Sequence, residues 1–285
     1  MHRRTTSLGI SGRATGQAFA RTQRNAGRTA ASRTGELSGM KAMVLAAGLG
    51  TRLRPLTDDR PKALVEVCGR TLLEIMLERL RGFGIQQVVI NVHHFADKMA
   101  EYLRAHHDFG MEIEISSEDV LLDTGGGLKK VAYFLRDGRD DAFLLHNVDV
   151  ISDIDLEKMV HFHHQRRALA TLAVQERKTS RYLFFDEELR LCGRRFEREN
   201  KTEMVRSCPT PQALAFCGIH VISSRFLDMM SEEGAFSIIN SYLRLAGQSE
   251  PIFAFRADEY YWRDLGRPEN VQQAAEDMAQ RKILL

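Results

Sequence analysis

From Met40 to about residue 155, short apolar runs alternate with amphipathic segments of helical spacing. KAMVLAA, QQVVINV, MEIEIS and DAFLLHNVDV have the length and apolar content of strands. Between them, TLLEIMLERLRGFG, ADKMAEYLRAHH and GGLKKVAYFL have the spacing of helices. This β-α-β-α order predicts an α/β fold with a doubly wound, mixed but mostly parallel sheet and helices on both faces, because helices connect successive parallel strands.

The order of elements changes after residue 155. The helical segment DLEKMVHFHHQRR is followed by ALATLAVQE, RYLFFD, LRLCGRRF and LAFCGIHVIS, which read as strands with few helices between them. We therefore expect residues 40–285 to form one domain, whose halves 40–155 and 156–285 share a sheet. No six-residue repeat is present, so no C-terminal β-helix is expected.

Residues 1–39 differ in composition from the rest of the chain. They contain seven arginines, no lysine and one acidic residue, Glu36, which gives a charge of +6. We expect a disordered basic tail, because the segment has too few apolar residues to offset its ordering entropy. Three interpretations stay open: an overextended start or idle tail before Met40, a transit-like targeting segment, and a nucleic-acid-binding arm.

Net charge, apolar runs and cysteine spacing limit the kinds of partner and the compartment that the sequence favours. The whole chain of 285 residues carries +2, so residues 40–285 carry −4, which does not favour nucleic acid or an anionic membrane as partner. No apolar run approaches the roughly 18 residues of a membrane span. Cysteines without paired metal spacing predict reduced thiols in a cytoplasmic protein. They are Cys68, Cys192, Cys208 and Cys217.

A glycine-rich loop, AAGLGTRLRPLT, follows the first predicted strand. It lacks the third glycine of a dinucleotide fingerprint, since Leu53 stands there, and it has Arg54-Pro55 where a Walker A loop has Lys-Ser/Thr. Glycines nevertheless expose backbone N–H groups that can surround an anion, and Arg52 adds a forked phosphate donor. The loop therefore predicts a phosphate site.

The longer segment MKAMVLAAGLGTRLRPLTDDRPKALVEVCGRTLLE resembles the opening of the sugar-1-phosphate nucleotidyltransferases, or NDP-sugar pyrophosphorylases. Their signature is Gly-x-Gly-Thr-Arg-(Leu/Met)-x-Pro-Leu-Thr followed by a Pro-Lys pair. The resemblance covers residues 40–280 and recurs at LLDTGGGLKKV, FLLHNVDV and YYWRDLGRPENV. The triple glycine is most similar to that of muramate- and mannose-type uridylyl- and guanylyltransferases. The resemblance implies a GT-A-like fold and Mg²⁺-dependent condensation of an NTP with a sugar 1-phosphate.

The resemblance also implies roles for individual residues. Arg52 and the loop would hold the triphosphate, Lys62 would reach the phosphate under attack, and Arg52, Lys62 and Asp149 are the expected catalytic residues. Asp149 and Asp264 would bind Mg²⁺, a hard cation that prefers oxygen ligands. The expected nucleotide-binding residues are Leu45, Ala46, Gly48, Gly50, Thr51, Arg52, Gly125 and Gly126.

Each assignment has a plainer alternative. Asp149 at a strand end could cap a turn, Lys62 could be a surface lysine, and the triple glycine could be only a tight turn into a helix. The family's usual glycine before the metal-binding Asp is Val148 here.

The second half, 156–285, would bind the sugar. Asn91 and His93 follow a strand at the functional end of the sheet. The family has a second basic residue near the sugar phosphate that is not evident here, and Arg194 or Arg195 would take its place. Gly218 matches a family glycine near the sugar. The expected sugar-phosphate residues are Asn91, His93, Arg194 and Gly218.

Several functional questions stay open at the sequence level. UTP is the favoured nucleotide, followed by GTP and CTP. A non-catalytic nucleotide-sugar-sensing homologue and a GT-A glycosyltransferase are the alternatives from other classes. Either a monomer or a homodimer is compatible with the sequence.

Overall fold

A mixed sheet forms the centre of the structure, a computed structural model that describes residues 1–2, 37, 39–136 and 141–283. The predicted tail at 1–39 lies almost wholly outside these residues. The strands are β1 Lys41–Leu45, β2 Glu66–Val67, β3 Arg70–Thr71, β4 Gln87–Val92, β5 Glu112–Ser117, β6 Ala142–Asn147, β7 Val150–Ser152, β8 Ala170–Gln175, β9 Arg181–Phe185, β10 Leu191–Phe196, β11 Lys201–Met204, β12 Gln212–Ser223, β13 Ile252–Arg256 and β14 Trp262–Asp264.

Helices connect most of these strands. They are α1 Leu72–Gly82, α2 Ala96–Ala105, α3 Asp123–Lys130, α4 Ala132–Arg136, α5 Leu156–Gln165, α6 Arg225–Asp228, α7 Ile238–Gly247 and α8 Pro268–Ala279, with 3-10 turns at Thr51–Leu53, Lys62–Leu64 and His107–Gly110. The main sheet runs β11-β10-β9-β12-β6-β1-β4-β5, and β8 pairs with both β12 and β13. The two predicted halves thus contribute strands to one sheet.

In the main sheet, the strands that precede residue 155 are parallel to one another, and antiparallel pairs involve strands that follow it. β6, β1, β4 and β5 are parallel neighbours, whereas β12 pairs antiparallel with β6, β8 and β9. The predicted α/β fold with a mixed sheet is confirmed, and no β-helix occurs among the described residues.

Alternation along β1 shows how helices come to cover both faces. Ala42 and Val44 belong to a core cluster that includes residues of α1, α2 and α5, whereas Met43 and Leu45 belong to a second cluster with residues of α3, α6 and α7. Successive side chains of a strand point to opposite faces. Because both faces of β1 are covered, its sequence after Lys41 is a continuous apolar run.

The structure departs from the predicted elements at several places, including the unpredicted β2, β3 and α6. The run GGLKKVAYFL is split at Val131 into α3 and α4, and α3 already begins at Asp123. DAFLLHNVDV breaks after Asn147 into β6 and β7, because β7 leaves the main sheet to pair with β14. β11 was not predicted, since its sequence KTEM is polar and mostly exposed.

The described helices include none that is long and apolar enough to cross a membrane. The cysteines are all free, and Cys192 and Cys217 are buried.

Candidate active site

The glycine loop leaves β1 at the edge where the parallel strands end. Gly50 has φ +64°, a left-handed conformation that glycine adopts without steric cost, and its carbonyl accepts a hydrogen bond from the Leu53 N–H at 2.8 Å. Thr57 fixes the loop further, since its Oγ1 donates to the Gly50 carbonyl at 2.9 Å and the side chain is buried. The exposed backbone between Gly48 and Arg52 is therefore held in a defined shape.

Lys62 lies directly against this loop. It follows Pro61 in a short 3-10 turn, and a Cβ added to Gly48 would stand 3.3 Å from the Lys62 Nζ. The ammonium lies 3.3 Å from Asp149 Oδ2, and the two side chains are 13% and 14% exposed. Lys62 is thus an ion-paired group largely withdrawn from solvent, and not a surface lysine.

A two-stranded ladder brings Asp149 close to Asp264, although they are far apart in the chain. β7 and β14 pair antiparallel with Val150 opposite Asp264, and the Leu265 N–H donates to the Asp149 carbonyl at 2.7 Å. Asp264 Oδ1 accepts from the Gly266 N–H at 2.6 Å, which fixes its carboxylate. Both aspartates consequently border the same cavity.

Arg52 reaches the same place from the glycine loop. A Cβ added to Gly266 would stand 2.7 Å from both Arg52 Nη2 and Asp264 Oδ1. The guanidinium and the carboxylate therefore meet against one side of Gly266, and this close approach requires glycine there.

A cavity of about 480 Å³ opens above these groups. Leu45, Gly48, Arg52 and Lys62 border it on the loop side. The opposite wall includes Leu121, Asp123, Thr124 and Ala235. Cations and carboxylates from separate segments therefore converge on one space, which suits a triphosphate with a divalent ion.

Gly125 and Gly126, expected at the nucleobase, are buried in the first turn of α3. Their N–H groups donate to the Phe236 carbonyl at 2.8 and 3.4 Å. A Cβ at Gly125 would overlap the Phe236 ring, and one at Gly126 would overlap the Gly234 carbonyl. Close packing against residues 234–236 therefore accounts for these glycines, and their neighbours Asp123 and Thr124 line the cavity instead.

Asn91 and His93, expected to contact the sugar, lie at the end of β4, and Asn91 lines this cavity. Asn91 is buried beneath the glycine loop, where its Oδ1 accepts from the Ala46 N–H at 2.8 Å. Its Nδ2 donates to Glu118 Oε1 at 2.8 Å, and His93 Nδ1 lies 2.7 Å from the Glu118 carbonyl oxygen. Because β4 is the parallel neighbour of β1, its end adjoins the glycine loop, and Asn91 supports the backbone of that loop.

A second cavity of about 490 Å³ adjoins the first, since Arg52, Asn147 and Asp264 line both. Gly218 lies in its wall with φ +76°, and a Cβ there would stand 2.7 Å from Asn147 Nδ2. We call the first space the loop cavity and the second the Gly218 cavity. Gly218 is thus the one predicted sugar-phosphate residue that borders the second cavity.

Arg194, the remaining predicted sugar-phosphate residue, is engaged elsewhere. Its Nε donates to Glu203 Oε2 at 2.7 Å and its Nη1 to Asn240 Oδ1 at 2.9 Å. It borders a third cavity of about 300 Å³. The register of β10 with β11, in which Arg194 stands opposite Glu203, explains why this arginine is paired internally.

Arg177 is one of four arginines of the Gly218 cavity that the sequence analysis did not single out, with Arg181, Arg263 and Arg267. Its guanidinium carbon lies 3.8 Å from the centroid of the Trp262 ring, and its Nη2 donates to the Phe216 carbonyl at 2.8 Å. Burial lowers the pKa of Arg177 from its ordinary value, although a guanidinium stays charged at neutral pH. In the sequence Arg177 stands among polar neighbours, QERKTS, so no local motif identified it as a residue of the site.

The donor chemistry of the site fits Mg²⁺. Asp149 and Asp264 supply carboxylates, and no group of three or more His, Cys, Asp or Glu side chains suited to a metal occurs in the part of the chain that the structure describes. A metal held here would therefore complete its shell with phosphate and water oxygens, as Mg²⁺ usually does. Val148, which replaces the family glycine, is buried in the core, so the replacement does not crowd this cavity.

The family model described as Nucleotidyl transferase matches residues 41–281. The chain belongs to this family.

Among curated relatives, the chain is 54% identical over 100 residues to an N-acetylmuramate alpha-1-phosphate uridylyltransferase from Caulobacter vibrioides, covering 34% of this chain and 41% of that protein. It is 30% identical over 242 residues to a mannose-1-phosphate guanylyltransferase from Mycobacterium tuberculosis, covering 83% and 64%. The chain thus spans less than two thirds of the length of these relatives.

The fold is similar to that of a solved family neighbour. The structure of HddC from Yersinia pseudotuberculosis, complexed with GMP-PN, aligns with a TM-score of 0.67 at 20% identity and covers 84% of this chain and 99% of that one. At this identity the likeness shows the shared fold alone.

Proposed function

We propose that the protein transfers a nucleotidyl group from an NTP to a sugar 1-phosphate and releases pyrophosphate. The observation that carries the proposal is the meeting of Lys62, Asp149 and Asp264 beside the glycine loop. The two adjoining cavities supply space for two substrates, and Arg52, Asn147 and Asp264 stand between them.

In the proposed reaction, an oxygen of the sugar phosphate attacks the α-phosphorus of the NTP. A P–O bond forms, the bond from the α-phosphorus to the bridging oxygen of the β-phosphate breaks, and pyrophosphate leaves. Lys62 would stabilise charge on the α-phosphate, and Arg52 with the loop N–H groups would hold the triphosphate. Asp149 and Asp264 would hold Mg²⁺, which would neutralise charge on the departing pyrophosphate.

UTP is the nucleotide we favour, because the 54% identical segment belongs to a uridylyltransferase. GTP is the second candidate, supported by the longer match to a guanylyltransferase. The free cysteines support the cytoplasmic location expected from the sequence.

A pyrophosphate-release assay tests the proposal. The purified full chain would be incubated with each NTP, a panel of sugar 1-phosphates and Mg²⁺ or EDTA. Asp149→Ala and Asp264→Ala should each lower the rate by about 10²–10³, the usual cost of removing one electrostatic group. Asp228→Ala is the control, because this exposed residue pairs with Arg136 and lines none of the three cavities.

Two results would contradict the proposal. One is the absence of pyrophosphate from every NTP and sugar 1-phosphate pair, which would favour the nucleotide-sugar-sensing alternative if the protein still binds a nucleotide sugar. The other is near-normal turnover in both aspartate variants.

A further inference from the structure

Two buried side chains connect the backbone segments on either side of the loop cavity. They are Asn91 and Glu118, which are 2% and 3% exposed. Asn91 Oδ1 accepts hydrogen bonds from the Ala46 and Ala47 N–H groups at 2.8 and 3.4 Å. Glu118 Oε2 accepts from the Leu122 N–H at 3.0 Å. Asn91 Nδ2 donates to Glu118 Oε1 at 2.8 Å, which completes a chain of hydrogen bonds from the glycine loop to the residue before α3.

Both ends of this chain of bonds lie within the cavity wall. Ala47 lines the loop cavity at the glycine loop, and residues 121, 123 and 124 line it on the other side, around Leu122. Glu118 itself does not line the cavity. Its own backbone is fixed at the end of β4, because the Glu118 N–H donates to the Val92 carbonyl at 2.7 Å. Any influence of Glu118 on a ligand must therefore pass through the two wall segments.

The direction of the hydrogen bonds requires an anion at one of the two side chains. The Ala46 and Leu122 N–H groups both donate toward the pair. Two neutral amides between them would each offer one acceptor and one donor end, so in every orientation one donor would face another. The Glu118 carboxylate removes this conflict, because both of its oxygens accept. Since the pair is almost fully buried, water has little access to replace a lost bond, and an unmatched donor is costly.

Gly127 brings α3 against the same pair. A Cβ added at Gly127 would stand 2.9 Å from both Asn91 Nδ2 and Glu118 Oε1. Contact with the pair thus accounts for the third residue of the triple glycine, whereas Gly125 and Gly126 pack against residues 234–236. The helix that follows the second wall segment is therefore seated on the same hydrogen bonds.

We propose that Glu118 is a positioning residue for the nucleotide, which acts by fixing the two walls of the loop cavity relative to each other through Asn91 and the Leu122 N–H. This inference rests on the proposed function, in which the loop cavity holds the NTP. Neither Glu118 nor Asn91 nor Gly127 lines the Gly218 cavity. A disturbance of the pair should consequently weaken nucleotide binding with little effect on the sugar 1-phosphate.

Glu118→Gln tests the role of the carboxylate with almost no change of shape. Calorimetry of the full chain with UTP and with GTP, each with Mg²⁺, should show a Kd about tenfold higher than in the parent protein, the usual effect of an unmatched buried donor. In turnover assays KM for the NTP should rise similarly, with less than about a twofold change in KM for the sugar 1-phosphate. Glu250→Gln is the matched control, because Glu250 pairs with Arg225 and lines none of the three cavities.

Exchanging the two side-chain types provides a sharper test. In the double variant Asn91→Asp with Glu118→Gln, the new carboxylate accepts from the Ala46 N–H and from the new amide, whose oxygen accepts from the Leu122 N–H. Asn91→Asp alone brings two carboxylates into contact and should weaken nucleotide binding at least as much as Glu118→Gln. The double variant should bind the nucleotide at least about threefold more tightly than either single variant, whereas independent losses would multiply to about a hundredfold. A multiplied loss in the double variant would overturn the inference.

Gly127→Ala approaches the pair from α3 and leaves both side chains in place. It should raise the Kd for the nucleotide more than KM for the sugar 1-phosphate, because its Cβ crowds Asn91 Nδ2 and Glu118 Oε1. Melting temperatures without ligand identify variants that fail to fold. If a single variant of the pair does not fold, the inference requires a folded, nucleotide-binding double variant, and its failure to fold as well would contradict the exchange of roles.

The binding and turnover data distinguish this inference from the proposed function. Nucleotide binding that follows the expected pattern, without pyrophosphate release from any sugar 1-phosphate, would support the positioning role and refute the transferase. Turnover with an unchanged Kd and KM for the NTP in Glu118→Gln would refute the positioning role alone.

Discussion

Two of the three buried histidines among the described residues should make the protein acid-sensitive well above the range where most carboxylates titrate. The third, His163 on α5, has a pKa lowered by burial to about 4 and adds to the effect. His146 on β6 and His220 on β12 are buried, and their strands pair antiparallel in the centre of the sheet. Burial lowers the pKa of each to about 3, from an ordinary value of 6.5. His220 Nδ1 lies 2.8 Å from the hydroxyl of Tyr242, whose pKa is raised by burial, so this pair is uncharged at neutral pH.

The size of the effect follows from linkage. Above pH 6.5 both histidines are neutral in the folded and unfolded states, so they impose no proton-linked cost on folding. Below pH 6.5 these histidines bind protons in the unfolded chain but stay neutral in the folded chain. The free energy of unfolding therefore falls with pH until the pH drops below about 3, where the folded chain is protonated too. At pH 5 each histidine should therefore lower the free energy of unfolding by about 2 kcal/mol relative to pH 7.5.

Urea unfolding at pH 7.5 and pH 5.0, followed by circular dichroism, measures this loss. His220→Gln keeps a partner for the Tyr242 hydroxyl but cannot titrate, so the difference in free energy between the two pH values should shrink by about 2 kcal/mol. His161→Gln is the control, because His161 is exposed on α5. The reasoning would be refuted if His220→Gln kept the full pH dependence of the parent protein.

Other substitutions test the site and its packing. Lys62→Met should lower kcat by about 10²–10³ with an unchanged circular dichroism spectrum, and turnover within fivefold of the parent would remove Lys62 from the mechanism. Gly218→Ala should raise KM for the sugar 1-phosphate more than it lowers kcat, since the new Cβ displaces Asn147; an unchanged KM would contradict this. Gly125→Ala should lower the melting temperature, because its Cβ overlaps the Phe236 ring, and an unchanged melting temperature would show that the 234–236 segment yields freely.

The fold could be predicted because its determinants are local and repeated. Before residue 155, β1, β4 and β6 are largely apolar runs and β5 alternates polar and apolar residues, while α1 and α2 each carry an apolar stripe, so period and length identify these elements. The break after Asn147 could not be predicted in the same way. Residues 148–152 are as apolar as the strand before them. Val150–Ser152 leaves the main sheet because it pairs with β14, which is distant in the sequence.

The site was predictable where its residues lie within one motif. Gly48 and Arg52 belong to one glycine-rich loop, whose residue types predict a phosphate site, and the resemblance to the family added Lys62 to it. Arg177 and Arg194 show the opposite case. Both are arginines of the second half. The register of β10 with β11 places Arg194 opposite Glu203, whereas Arg177 lies in the loop between β8 and β9 and lines the Gly218 cavity.

Asn91 shows that position in a sheet and hydrogen-bond partners are separate pieces of information. Its place after a parallel strand predicts a location at the functional edge of the sheet, and the side chain lies there. Its hydrogen bonds, however, run to the Ala46 N–H and to Glu118. Since its side chain is buried and hydrogen-bonded to the backbone of the glycine loop, we expect Asn91, which also lines the loop cavity, to act on ligand binding mainly by fixing the shape of that loop. Strand order predicts which edge a residue occupies, whereas its contact with substrate depends on which neighbouring polar groups are already satisfied.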